Sequence, residues 1–286
     1  MSTMVKIIEC PRDAMQGLHD FIPTKKKAAY INQLLKVGFD TIDFGSFVSP
    51  KAIPQLKDTA EVLNQLDLSA TKSKLLAIVA NQRGATDACK FEEINYLGFP
   101  FSISETFQQR NTNSSIAESL VRVADIQNLC IKHNKELVVY ISMAFGNPYG
   151  DEWNAKIVIE WAKKLSNLGV KIIALSDTIG ASNPKNISYL FGNIIPEFNN
   201  IEIGAHIHTT PTTWKEKVNA AYKNGCNRFD GAIKGFGGCP MATDDLTGNM
   251  ATENLITYFN SNEIELNLNQ DEFNTSIVKS TKVFPI

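Results

Sequence analysis

Two short segments of this 286-residue chain carry residue types that do chemistry together: His206-Ile207-His208 and Gly235-Phe236-Gly237-Gly238-Cys239-Pro240. Successive side chains of a β-strand alternate sides, so histidines at i and i+2 share a face and both imidazoles can reach one ion. The spacing predicts a divalent-cation site on a strand that begins Ile201-Glu202-Ile203-Gly204-Ala205. Gly237 and Gly238 free the backbone just before Cys239 to take positive φ or to approach a ligand closely. A thiol with a reference pKa of about 8.5 is mostly protonated at neutral pH yet acidic enough to protonate a carbanion, which makes Cys239 a candidate general acid. Both features also have ordinary uses: a hydrogen-bonded histidine pair at a strand end, and a cysteine buried as a small hydrophobe.

Apolar, strand-like runs alternate with helical patterns and begin near Val5, Thr41, Lys74, Ile94, Leu137, Val170, Ile201 and Asn227. Eight such units predict a (β/α)8 TIM barrel, and the uninterrupted apolar run Leu137-Val138-Val139-Tyr140-Ile141 fits a parallel strand buried on both faces. Gly38, Gly169 and Gly225 each stand where a helix must stop ahead of the next strand. Thr24 is the expected N-cap of the helix over 25–37, and Gly98 and Pro100 are expected to interrupt the fourth strand. The simplest organisation is a single domain over 1–286, with the barrel over 5–260 and a helical tail over 261–286.

A barrel places its working groups at the C-terminal ends of its strands. Arg12, Asp13, Asp43, Ser46, Glu105, Ser142, Asp177 and Thr178 fall there, as does the histidine pair. Once the barrel closes, strands 7, 8 and 1 are neighbours, so Asp13, His206, His208 and the loop after strand 8 converge. Two imidazoles, one carboxylate and an amide or water oxygen suit Mg²⁺ or Mn²⁺, with zinc possible by affinity.

Composition narrows the partners. A net charge of −2 with dispersed basic residues leaves no electrostatic footprint for nucleic acid or for an anionic membrane. No run approaches the roughly 18 apolar residues of a membrane span, and the N-terminus lacks signal-peptide character, so a cytoplasmic location is expected. Five scattered cysteines (Cys10, Cys89, Cys130, Cys226, Cys239) have neither zinc-finger nor Cys-x-x-Cys spacing, and reduced thiols are expected.

The chain carries Pro11-Arg12-Asp13-x-x-Gln16, Ser46-Phe47-Val48-Ser49-Pro50-Lys51, Ser176-Asp177-Thr178-Ile179-Gly180, His206-x-His208, Gly237-Gly238-Cys239-Pro240 and Gly248-Asn249-x-Ala251-Thr252-Glu253. Over nearly its whole length it thereby resembles the 3-hydroxy-3-methylglutaryl-CoA lyases, within the metal-dependent TIM-barrel lyase and condensing-enzyme superfamily. The resemblance implies cleavage of 3-hydroxy-3-methylglutaryl-CoA to acetoacetate and acetyl-CoA, a place in leucine breakdown and ketone-body formation, and a homodimer. It implies that Asp13, His206, His208 and Asn249 hold Mg²⁺ or Mn²⁺. Arg12 would polarise the thioester carbonyl, with Gln16, Asp43 and Asp177 as further substrate-binding residues. Cys239, Arg12, Asp13 and His206 would be catalytic. Asp43 stands where the family usually has glutamate.

Three departures bear on the fit. Thr209-Thr210 replace the family's Asp-Thr after the histidine pair, removing a carboxylate whose hydrogen bonds must be made otherwise. The stretch from Cys239 to Asn249 is one residue longer, through Thr243-Asp244-Asp245-Leu246, and Ala14-Met15 replace Gly-Leu after the aspartate. The alternatives are a lyase for another 3-hydroxyacyl-CoA, a condensing enzyme of the same superfamily, and a non-catalytic metal-binding barrel. The Gly-Gly-Cys-Pro turn argues against the condensing enzyme.

Overall fold

A computed structural model describes residues 4–238 and 247–284. Cys239, Pro240 and the acidic pair Asp244-Asp245 therefore lie outside the described residues. The strands are β1 (Lys6–Glu9), β2 (Thr41–Ser46), β3 (Lys74–Ile78), β4 (Ile94–Ser102), β5 (Glu136–Ser142), β6 (Ile172–Ser176), β7 (Glu202–His206), β8 (His208–Thr209), β9 (Arg228–Gly231) and β10 (Gly248–Asn249). The first seven and β9 form a closed parallel barrel in the order β1-β2-β3-β4-β5-β6-β7-β9, while β8 and β10 pair antiparallel as a separate two-stranded ribbon. The fold is the TIM barrel that eight repeating units predicted.

Helices cover the barrel through their apolar faces. In Ala155–Asn167, for example, Ala155, Val158, Ala162 and Leu165 are buried at helical spacing, and the Asn154 side chain caps the start by accepting from the Ile157 amide. The three glycine junctions take the left-handed turn that a helix needs to stop ahead of a strand: φ is 90° at Gly38, 92° at Gly169 and 95° at Gly225. Among the described residues no helix is long and apolar enough to cross a membrane.

Two expectations are corrected. Pro23 occupies the cap position, so Thr24 is already the first residue of the helix Thr24–Leu34, and its hydroxyl donates instead to Asp58 Oδ2 at 2.7 Å. The fourth strand runs unbroken from Ile94 to Ser102. Pairing with β3 ends at Ile78 opposite Gly98, whose carbonyl accepts from Val79 at 2.8 Å. Pro100, two residues on, turns its nitrogen to the same side, where β3 no longer pairs, so no ladder donor is lost.

The C-terminal part docks rather than trailing away. Helix Gln270–Ser280 packs on Thr24–Leu34, with Phe273 edge-on to Phe39 at 6.3 Å and Gln33 Nε2 donating to Glu272 Oε2 at 2.6 Å. Beyond it, Phe284 stacks on Phe236 with centroids 4.7 Å apart.

Candidate active site

The mouth of the barrel opens into a cavity of about 430 Å³ lined by Arg12, Asp13, Gln16, Tyr140, Ser142, Thr178, His206, His208 and Gly238, among others. Arg12, Asp13 and Gln16 come from the helix Pro11–Gln16 that follows β1. Proline at its first position has no N–H to leave unpaired, so this helix can start almost directly off the strand. Arg12 is the hub: Nη1 donates to Asp13 Oδ1 and Gln16 Oε1, both at 2.9 Å, while Nε and Nη2 reach Asp43 Oδ2 at 3.0 and 2.5 Å. Gln16 Nε2 donates to Asp13 Oδ1 at 2.7 Å, and Asn249 Nδ2 donates to Asp13 Oδ2 at 2.6 Å.

The histidine pair does not share one strand as expected. β7 ends at His206, and His208 begins β8, where it pairs across the ribbon with Asn249. The break re-aims His208 without separating the imidazoles, whose centroids lie 5.6 Å apart. All four expected metal residues therefore meet: Asp13, His206 and His208 line the cavity, and Asn249 touches both Asp13 and the His208 strand.

Charge in this group is set by burial against neighbours. Burial pushes the Asp13 carboxyl up, but Arg12, His206 and the Asn249 amide outweigh it and hold the group below its ordinary value. Burial lifts Asp43 to about 6 against the opposing pull of Arg12, which leaves it ionised at neutral pH. Burial, reinforced by His206, drives His208 down to about 4, so its imidazole is neutral at pH 7 and keeps a lone pair. Burial also depresses His206, but the carboxylates of Asp230 and Asp13 raise it above its ordinary value.

The donor atoms fit a divalent cation. His208 Nδ1 is buried without a hydrogen-bond partner, and neutral imidazole, carboxylate and amide oxygen are the ligands that Mg²⁺ and Mn²⁺ accept. A second group, Cys10, His206 and Asp230, also brings its donor atoms within 4.8 Å of one another. Cys10 is a poorer ligand because burial, with Asp230, Asp43 and Asp13 around it, raises its thiol well above the ordinary range.

Two expected substrate-binding residues are turned to support. Asp43 is fully buried on β2, outside the cavity lining, and is spent on Arg12. Asp177 is likewise buried outside the lining. It accepts from the Ser182 amide at 2.9 Å and from the Ser182 hydroxyl, and Lys217 Nζ stands 3.4 Å away. Lys217 also donates to the His208 carbonyl at 2.8 Å, so this pair braces the turn beside Thr209, where the family's aspartate is missing. Sequence reasoning missed Tyr140, Lys217 and Asp230. Asp230 had a signal: Arg228-Phe229-Asp230 puts charges two apart inside a buried strand, where charge needs a reason.

A family model described as HMGL-like matches residues 5–277. The chain belongs to the HMGL-like family. Among curated proteins similar to this HMGL-like chain is hydroxymethylglutaryl-CoA lyase YngG of Bacillus subtilis, 34% identical over 258 residues, covering 90% of this chain and 85% of the relative. The cytoplasmic 3-hydroxy-3-methylglutaryl-CoA lyase of Rattus norvegicus is 33% identical, covering 90% and 74%. Among solved structures, the HMG-CoA lyase of Bacillus subtilis superposes with a TM-score of 0.91 at 32% identity, over 98% of this chain and 93% of the other. An HMG-CoA lyase from Acinetobacter baumannii, solved with coenzyme A and 3-methylmalate, gives 0.90 at 28% identity, over 99% and 93%.

Proposed function

We propose that this HMGL-like chain is a divalent-metal-dependent carbon–carbon lyase that cleaves 3-hydroxy-3-methylglutaryl-CoA to acetoacetate and acetyl-CoA. The observation that carries the reading is the meeting of Arg12, Asp13, His206 and His208 in one cavity, with Asn249 in contact, in a chain whose relatives are lyases of that substrate. Asp13, His206, His208 and Asn249 are the proposed ligands of Mg²⁺ or Mn²⁺. When bound, such an ion supplies Lewis acidity that lowers the pKa of the substrate hydroxyl and orients it.

The protein's own groups divide the remaining work. The hydroxyl proton passes to the Asp13 carboxylate as the carbon–carbon bond breaks; the alcohol carbon becomes the ketone of acetoacetate, and the bonding electrons become the enolate of acetyl-CoA. Arg12 is permanently cationic and fixed by Asp43, so its donors can hold the thioester oxygen where enolate charge develops. Cys239 supplies the proton that converts the enolate carbon to a methyl group; its chain neighbour Gly238 lines the cavity. The reading brings with it a homodimer and a cytoplasmic setting. Vertebrate relatives bear both cytoplasmic and mitochondrial names.

The test is acetoacetate release from 3-hydroxy-3-methylglutaryl-CoA with Mg²⁺, with Mn²⁺ and after EDTA. Release is expected with either ion and is abolished by EDTA. Cys239→Ser keeps metal binding and loses most turnover, whereas Asp13→Ala loses metal affinity as well. Arg12→Met lowers turnover by about 10²–10³-fold, the usual effect of deleting a donor to a developing oxyanion. No release from folded, reduced protein under any condition would reassign the chain to another 3-hydroxyacyl-CoA.

A further inference from the structure

Below the cavity the barrel interior holds charged side chains that the proposed mechanism leaves unused. His206 Nδ1 lies 3.1 Å from Oδ2 of Asp230, which stands on the adjacent strand β9. Asp230 is buried, its Oδ1 has no partner, and the contact to His206 is the one hydrogen bond its carboxylate makes among the described residues. Arg228 is two residues earlier on β9, hence on the same face, and Asp230 is the acidic group that acts on it most strongly. Gly204 of β7 gives that arginine its path, since a Cβ there would stand 3.0 Å from Arg228 Cδ. The Arg228 guanidinium itself pairs with Glu202 at 3.0 Å, so the imidazole is the group to which the Asp230 carboxylate is bonded. A carboxylate can only accept, so the 3.1 Å contact is a hydrogen bond when His206 Nδ1 is the donor.

We propose that Asp230 is a positioning residue for His206: by accepting the Nδ1 proton it fixes the tautomer of the ring and leaves the Nε2 lone pair for the cation held with Asp13, His208 and Asn249. This assignment rests on the metal site proposed above. It also decides between two uses of the same atoms. If Cys10, His206 and Asp230 formed the cation site, Asp230 would be a ligand. Neither Cys10 nor Asp230 lines the cavity, however, and burial, with three carboxylates around it, disfavours the Cys10 thiolate that a cation needs. In the cavity-facing use, Asp230 performs for His206 the orienting task that a carboxylate next to a metal-bound histidine usually performs.

The chain has only four histidines, which makes ¹⁵N-histidine labelling a direct readout of the tautomer. In metal-free protein, at a pH high enough to neutralise the raised His206 imidazole, the ring, assigned with His206→Gln, is expected as the Nδ1–H form, and Asp230→Ala is expected to convert it to a mixture rich in Nε2–H. Mn²⁺ affinity, measured by calorimetry, falls about 10–100-fold in Asp230→Ala, the usual effect of removing such a partner. Asp230→Asn, whose amide oxygen still accepts, keeps the tautomer and most of the affinity, and serves if the alanine variant does not fold. Wild-type affinity with an unchanged tautomer in Asp230→Ala, or an Nε2–H ring in Asp230→Asn, overturns the proposal. So does a thiolate-to-cobalt charge-transfer band in the Co²⁺-loaded protein that vanishes in Cys10→Ala, because the cation would then sit in the Cys10 group. Wild-type protein that binds no Mn²⁺ would sink the metal reading itself, and the tautomer measured without metal would still decide what Asp230 does.

Discussion

At the residue scale, Glu9 is an acid that keeps its proton in the folded chain. It is buried at the end of β1, where Oε1 accepts from the Ile233 amide at 2.9 Å and Oε2 from the Thr252 hydroxyl at 2.5 Å. Desolvation outweighs both bonds and lifts its pKa from 4.5 to about 8. The sign follows directly: between those two values the folded state binds more protons than the unfolded state, so stability falls as pH rises from about 4.5 to 8. Urea unfolding of wild type and Glu9→Gln across that range is expected to show a steeper downward slope in wild type, since Asp43, lifted to about 6, contributes to both proteins. Parallel curves would mean that Glu9 is ionised. Glu9 had no mark in the sequence, because its partners stand 224 and 243 positions away and burial is a property of the closed barrel. His206 and His208 were legible from their type and spacing, Arg12 and Asp13 from their place after the first strand and from the family resemblance.

At the element scale, β4 shows how a missing side chain shapes the interior. A Cβ on Gly98 would stand 2.5 Å from Ile78 Cδ1, 3.0 Å from Leu76 Cδ2 and 3.2 Å from Tyr140 Cε2. The Tyr140 ring in turn stands edge-on to His206 at 5.8 Å, so overpacking here presses towards the site. Gly98→Ala is expected to destabilise by about 1–3 kcal/mol in denaturant unfolding. Ile78→Val, which removes the offending Cδ1, should recover much of that loss in the double variant, a coupling expected of residues in contact. Additive losses would show that the strain lies elsewhere. The spacing of the eight strands and the three glycine junctions were readable because period and turn chemistry are local. The unbroken course of β4 was not, since whether Pro100 costs a hydrogen bond depends on where its neighbour strand ends. The β8–β10 ribbon was equally hidden: strands of two residues have no period to read.

At the scale of the whole molecule, the C-terminal segment reaches the site. Phe284 is buried edge-on to Tyr30 at 5.6 Å and stacked on Phe236, whose carbonyl accepts from Asn249 Nδ2 at 2.9 Å. Phe284→Ala is expected to cost about 3 kcal/mol of stability, in the usual range for truncating a buried phenylalanine, with Phe284→Leu costing less. Unfolding midpoints in urea read the difference, and equal midpoints for all three proteins would show that the segment is merely appended.

The ribbon that carries His208 and Asn249 has a consequence for assembly. Asn249 meets His208 as its cross-strand partner, so two of the four proposed ligands come together in one pairing event. The remaining carboxylate, Asp13, follows β1, which reaches β7 only through β9 by pairing Lys6 with Arg228, the longest loop closure of the barrel and so one expected late. A cation would therefore find its complete ligand set only after the last barrel strand has docked, and its binding rate during refolding would clock closure of the barrel rather than its collapse.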